Sequence, residues 1–213
     1  MNEKIFVHKR EGSTMPKSAQ RCQEIREQTK EMILQKSIPC FAKNGFTGTK
    51  VSDLAKLIGI GQGSLYTYFE SKEALFQEIC ERINREDITE QIKELSSLPL
   101  PAKQKIIILS TIVLQQLNDN DEFAGAVALN TQLLFEQDSL SSSNRTTYQS
   151  EVYRYTAKII EQGQREGSVV SGSPLKLADY FWGVVYLYAL KKIFTTKYEM
   201  ITPEDLQRTV LIP

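Results

Sequence analysis

The side chains that ordinarily carry catalysis or hold a metal are scarce in this chain and poorly spaced for either task. It has one histidine, His8, and three cysteines, Cys22, Cys40 and Cys80, far apart and with no Cys-x-x-Cys pair. A histidine-based triad and a histidine metal cluster are therefore excluded. No metal and no cofactor is expected, and neither a phosphate-binding loop nor a dinucleotide fingerprint is present, so the chain does not read as an enzyme. The acids Asp119, Asp121 and Glu122 sit together where a loop between helices is expected, and solvation accounts for them. The odd, scattered cysteines fit a reducing cytoplasm; inert thiols on helix faces and a redox-sensing thiol are the two readings of Cys40 and Cys80. What remains is binding chemistry. Gln62, Ser64, Thr67 and Tyr68 offer hydrogen-bonding groups on one side of a short segment whose other side carries Leu65 and Phe69.

The elements around those residues explain how they could be presented. Val51, Leu54, Ala55 and Ile58 recur at i, i+3, i+4 and i+7, which places four apolar side chains on one stripe of a short helix. Gly59-Ile60-Gly61 follows, with two residues able to take positive φ, so the chain turns sharply and directs Ile60 back to the core. A second short helix starts near Gln62. Two short helices, a glycine turn and a polar outward face form a helix-turn-helix, whose second helix is the one that enters a DNA major groove.

From Gly45 to Phe76 the order G-F-x-x-T-x-V-x-D-L-A, then G-I, then G-S-L-Y-x-Y-F, then S-K-E-A-L-F, closely resembles the TetR family of bacterial transcriptional regulators. The resemblance implies an all-α protein: an N-terminal three-helix helix-turn-helix head joined to a larger C-terminal helical body that binds ligand and dimerises. It implies that Gln62, Ser64, Thr67 and Tyr68 face the groove of a double-stranded DNA operator and that Gly63 lets the backbone approach it. Tyr66, Lys72, Thr49, Lys50 and Ser52 would hold phosphates. Lys17, Arg21, Arg26 and Lys30 lie where related proteins often touch phosphates; a solvated helix face is the other reading. The implied function is a cytoplasmic repressor that binds an inverted-repeat operator as a homodimer and is released by a small-molecule effector. A DNA-binding activator or a chromosome-organising protein without an effector is the alternative.

Charge is distributed to match. Net charge is zero over 213 residues, but residues 1–73 carry 12 lysines and arginines against 8 acids, and the remainder 14 against 18. A basic DNA reader joined to an acidic body fits that balance, as does ordinary scatter of surface charge. The longest apolar run, Tyr180 to Leu190, is too short to span a bilayer, so no membrane partner is expected.

Taken in order, residues 1–17 read as a flexible arm, 18–73 as the DNA-binding domain and 74–213 as the effector-binding and dimerisation domain. One helix is expected from Ser18 to Asn44, with Ile25, Thr29, Met32, Ile33, Ile38 and Phe41 toward the core and Gly45 ending it. Pro39 interrupts that helix at a cost of roughly 3 kcal/mol and predicts a kink near Gln35 or Lys36. Ser71 reads as an N-cap, and the helix after it is expected to reach Gln91 and to connect head to body. Leu98-Pro99-Leu100-Pro101 is the clearest break. Helices are then predicted over 102–117, buried on most faces, 121–137, 146–166 and 174–198, with a short last one from Pro203 and a serine-rich loop at 139–144.

Two late segments carry broad apolar faces: Tyr148, Val152, Tyr155, Ile159 and Gln162, and then Leu177, Phe181, Val184, Val185, Tyr188 and Ile193. A monomer could bury both, whereas the resemblance implies a four-helix dimer interface. The body is also rich in aromatics, and bundles of this kind often enclose an apolar cavity; a fully packed core is the other reading. Phe123, Phe135, Tyr153 and Trp182 are the candidate effector contacts, with the effector itself unidentified.

Overall fold

The computed structural model describes residues 17–85, 88–135 and 151–212. They form ten helices: α1 (Lys17–Gly48), α2 (Val51–Ile58), α3 (Gln62–Tyr68), α4 (Lys72–Arg85), α5 (Ile88–Ser97), α6 (Ala102–Asp119), α7 (Asp121–Phe135), α8 (Glu151–Arg165), α9 (Pro174–Phe194) and α10 (Pro203–Gln207). Among the described residues the only β pairing is an isolated antiparallel bridge between Val169 and Leu211, so the all-α reading holds. The predicted arm lies outside the described residues except Lys17, which opens α1, and so does the serine-rich loop.

Within α1 the backbone leaves helical values at Gly45 (φ 68°, ψ 173°), the residue at which the sequence predicts the helix to end. Pro39 produces no such break, and the kink expected near Gln35 is not seen as a departure from helical dihedrals. The backbone of α7 passes α1 at this turn, so close that a Cβ on Gly125 would lie 2.9 Å from the Pro39 nitrogen and 2.9 Å from Ile38 Cγ2. Close packing of α7 accompanies Pro39 at this turn. Gln132 of α7 adds a hydrogen bond to the Ala42 carbonyl at 3.1 Å. Ile25, expected on the core stripe, is instead 53% exposed.

The helix expected to run from Ser71 to Gln91 ends at Arg85, and α5 begins at Ile88. Leu75, Phe76 and Ile79 mark one side of α4, whereas Ile92 and Leu95 would fall on nearly the opposite side of a continued helix. A single straight helix would leave one of those stripes in water, so the chain divides and α5 packs on α8.

Polar contacts close the seam at the proline break. Lys105 of α6 is buried, and its Nζ donates to the Ser96 carbonyl and to Gln162 Oε1, both at 2.8 Å. Gln162 Nε2 donates to the Leu100 carbonyl at 2.9 Å and to Glu166 Oε1 at 2.6 Å, while Glu166 Oε2 accepts the Ala102 N–H at 2.7 Å. The hydrogen bonds from Gln162 and from the Ala102 backbone hold the Glu166 carboxyl below its usual range. A buried ammonium is tolerable only with partners of this kind. Contrary to expectation, α6 is buried on one side only: Ile107 and Ile112 remain exposed.

Candidate nucleic-acid interface

The helix pair α2–α3 is built as the spacing predicts. Leu54, Ala55 and Ile58 of α2 and Leu65 of α3 are buried, and Phe69 follows at the end of α3. Gly59 takes the left-handed conformation (φ 88°), and its N–H and that of Ile60 both donate to the Ala55 carbonyl at 3.0 Å. Gly61 differs from the expectation. Its φ of −68° is that of an extended residue before a helix, so Gly59 alone supplies the positive φ of the turn.

This frame leaves one face of α3 in solvent. Gln62, Gly63, Ser64, Tyr66 and Thr67 are exposed, with Lys50 and Ser52 exposed nearby in sequence at the start of α2. A Cβ on Gly63 would meet nothing within 4 Å, so its openness is available to an approaching partner. Tyr68 is half-buried, its ring 5.8 Å from the Arg26 guanidinium carbon.

Two predicted phosphate ligands are placed differently. Thr49 is 2% exposed, and its hydroxyl donates to the Gly45 carbonyl at 2.7 Å, so the side chain closes the end of α1 instead of facing outward. Lys72 Nζ donates to the Phe46 and Thr49 carbonyls at 2.9 and 3.1 Å and lies 4.2 Å from the Phe46 ring centroid. Both satisfy carbonyls that a terminating helix leaves without partners.

Basic residues of α1 support α2 and α3. Arg26 Nη2 donates to the Thr67 carbonyl at 3.1 Å, and Lys36 Nζ to the Ile58 carbonyl at 3.4 Å, each at the carbonyl end of a short helix. Lys30 pairs with Glu78 at 2.7 Å. Such partners are 22 to 48 residues apart, and no local spacing signals them. Below, Phe76 of α4 packs 5.0 Å from both Phe41 and Phe46. Ser71 caps α4 as predicted, accepting the Ala74 N–H at 3.1 Å. Hydrogen bonds from its own backbone and from Ser71 hold the Glu73 carboxyl low.

The remaining candidates lie elsewhere. Trp182 is buried, donates from Nε1 to Thr156 Oγ1 at 3.0 Å, and packs against Phe181 and Tyr153, consistent with a core residue. Phe123 is half-buried, and the side chain of Phe135 lies outside the described part. A cavity of about 260 Å³ sits between α5 and α6, lined by Ile92, Leu95, Ile108, Leu109 and Val113 with Gln91 and Glu94; Phe123, Tyr153 and Trp182 do not line it. An open hollow of about 640 Å³ lies over the Lys105 network. No group of three or more potential metal ligands occurs among the described residues. Burial pushes the Cys80 thiol from 9.0 up to about 11, with the Glu81 charge adding to the rise. A thiol kept protonated is a poor nucleophile. No described helix is long and apolar enough to cross a membrane.

Comparison with known proteins agrees with this geometry. The family model described as bacterial regulatory proteins, tetR family, matches residues 33–79, the end of α1 through most of α4. An uncharacterized HTH-type transcriptional regulator of Bacillus subtilis, YerO, is 46% identical over 52 residues, 24% of this chain and only 18% of that protein's length. The HTH-type transcriptional repressor KstR2 of Rhodococcus jostii is 29% identical over 153 residues, covering 70% of this chain and 72% of the relative. Among solved structures, a TetR-family transcriptional regulator from Agrobacterium tumefaciens shares the fold with a TM-score of 0.63, at 17% identity over 86% of this chain and 98% of that one. With the exposed face of α3 and the glycine turn behind it, these matches show that residues 33–79 carry the helix-turn-helix segment of the bacterial regulatory proteins of the tetR family, whose members are DNA-binding transcriptional regulators and not enzymes.

Proposed function

We propose that the protein is a cytoplasmic repressor that binds an inverted-repeat operator as a homodimer and leaves it when a small molecule binds. Residues 18–73 act as the DNA-binding domain and 74–213 as the effector-binding and dimerisation domain. The observation that carries this reading is the exposed set Gln62, Gly63, Ser64, Tyr66 and Thr67 on a helix anchored by Leu65 and Phe69. Gln62, Ser64 and Thr67 read base edges, and Lys50, Ser52 and Tyr66 hold phosphates. Lys72 and Thr49 support the site from behind.

Selection from a pool of randomised duplexes tests it. Wild-type protein should enrich an inverted repeat whose half-sites lie about 34 Å apart or at a multiple of that. Gln62→Ala should cost roughly 1–3 kcal/mol on the selected duplex and relax one position in each half-site. Lys50→Ala should weaken all duplexes alike and lower the salt slope by about one. Equal losses for both variants on selected and random DNA would remove the assignment.

For the effector, the aliphatic cavity between α5 and α6 supports an apolar small molecule better than the packed ring cluster around Trp182 does. A ligand found by thermal-shift screening should lower operator affinity, typically about 5- to 150-fold, and operator should lower ligand affinity by the same factor. A ligand that stabilises the protein and leaves operator affinity unchanged would show that the cavity is not coupled to DNA.

A further inference from the structure

The buried apolar contacts of α4 lie between Leu75 and Cys80. Leu75, Phe76 and Ile79 are fully or almost fully buried, whereas Ile83 is half-buried, so packing holds the start of the helix more firmly than its end. At that end stands Arg82. Its Nη1 lies 2.6 Å from Glu31 Oε2 of α1 and its Nη2 lies 2.7 Å from Glu122 Oε1 of α7. Three helices thus meet at one guanidinium.

The α7 side of this junction is itself fixed. Lys192 of α9 donates to the Leu117 and Asn118 carbonyls at 2.9 and 2.7 Å and pairs with Asp121 at 2.9 Å, which ties the end of α6 and the start of α7 to α9. Glu122 is the next residue, and its side chain is only 15% exposed. An ion pair shielded to that degree escapes most of the screening that makes surface pairs weak. Arginine is suited to the position because its planar fork presents donors in two directions at once, which a lysine ammonium on a flexible stem does not.

We propose that Arg82 is a positioning residue for DNA reading: its guanidinium, gripped by Glu31 on the reading side and Glu122 on the body side, sets the angle of the recognition-helix unit relative to the carboxy-terminal helices. The consequence for operator choice rests on the homodimeric reading above, because an angle fixed in each protomer fixes the distance between two heads. A body rearrangement that draws Glu122 away frees the end of α4 without disturbing the core around Phe76. The acid pair also accounts for the direction of two titrations. The Arg82 hydrogen bond holds the Glu31 carboxyl low, and Glu31 is the largest cause raising the Arg82 guanidinium further.

Two measurements test the proposal, the first without DNA. Nitroxides are attached at Lys56→Cys on α2 and Arg154→Cys on α8, in a Cys22→Ser, Cys40→Ser background diluted with unlabelled protein so that each pair reports within one chain. Arg82→Lys and Glu122→Gln should broaden or shift the distance distribution. Glu78→Gln, which removes the Lys30 pair lying wholly between α1 and α4, should leave it unchanged. In the second measurement, duplexes selected by Glu122→Gln should keep the wild-type half-site sequence but scatter in half-site spacing. Unchanged distances in both Arg82→Lys and Glu122→Gln would overturn the proposal, as would a lower melting temperature with distances and spacing intact, since that is what a merely stabilising pair predicts. If wild-type protein selects no duplex while the distances still broaden, the positioning role stands and the operator reading falls.

Discussion

Gly125→Ala should melt below the wild-type protein, although alanine is the better helix former. In an open helix the exchange gains roughly 0.5–1 kcal/mol. Here the new Cβ would lie 2.9 Å from the Pro39 nitrogen, 3.0 Å from Pro39 Cα and 2.9 Å from Ile38 Cγ2. Two of those three atoms are backbone and cannot rotate away. Overpacking of this sort costs typically about 1–3 kcal/mol, so the clash outweighs the helical gain over most of that range. A net loss near 1 kcal/mol corresponds to a fall of about 2–4 °C in a protein of this size. Gly125→Val, with two further carbons at the same contact, should lose more. Gly63→Ala is the control, since its Cβ meets nothing within 4 Å, and in the absence of DNA it should keep the helical gain. A Gly125→Ala protein as stable as wild type would show that α1 and α7 separate without cost.

The second large effect is expected at Leu187. Half of the apolar set singled out on the last long helix faces inward: Leu177, Phe181 and Val185 of α9, like Ile159 of α8, are buried within one chain, while Val184, Tyr188 and Ile193 are half-buried. The opposite side of α9 presents Tyr180, Leu187 and Phe194, which are 58%, 48% and 52% exposed, with Gly183 open between them. On the homodimeric reading proposed above, this exposed aliphatic and aromatic stripe is the face that a second copy covers. In a two-fold interface each residue meets its own copy or a near neighbour, so Leu187→Glu places like charges together in an apolar setting. Sedimentation at micromolar concentration should then show a monomer with unchanged helicity. Operator affinity should fall by roughly 100- to 10,000-fold, because the second head no longer binds as part of the same molecule. Persistence of a dimer in Leu187→Glu would move the interface off this stripe.

Local pattern by itself makes the reading unit legible. The stripe Leu54, Ala55 and Ile58, the left-handed Gly59, the inward Leu65 and Phe69 and the Ser71 cap are all set within four or so residues of one another, the range over which helical spacing and capping act. The helical character of the whole described chain follows from the same periodicity. The division between α4 and α5 is legible in principle, since the apolar stripe changes sides between Ile83 and Ile88.

Tertiary structure decided what local pattern does not encode. Thr49 closes the turn with its hydroxyl, and its orientation depends on how α1 ends against Lys72, 23 residues away. Pro39 keeps helical dihedrals, and a glycine of α7, from a distant part of the chain, packs against it. Which face of α9 is interior was decided by α7 and α8 packing on it, for an amphipathic pattern states that a helix has two faces and not which neighbour covers each. Arg82 reads in sequence as one more charged position on a helix; only the approach of α1 and α7 joins it to acids 51 residues before and 40 residues after it, because contacts at such separations exist only once the helices have packed.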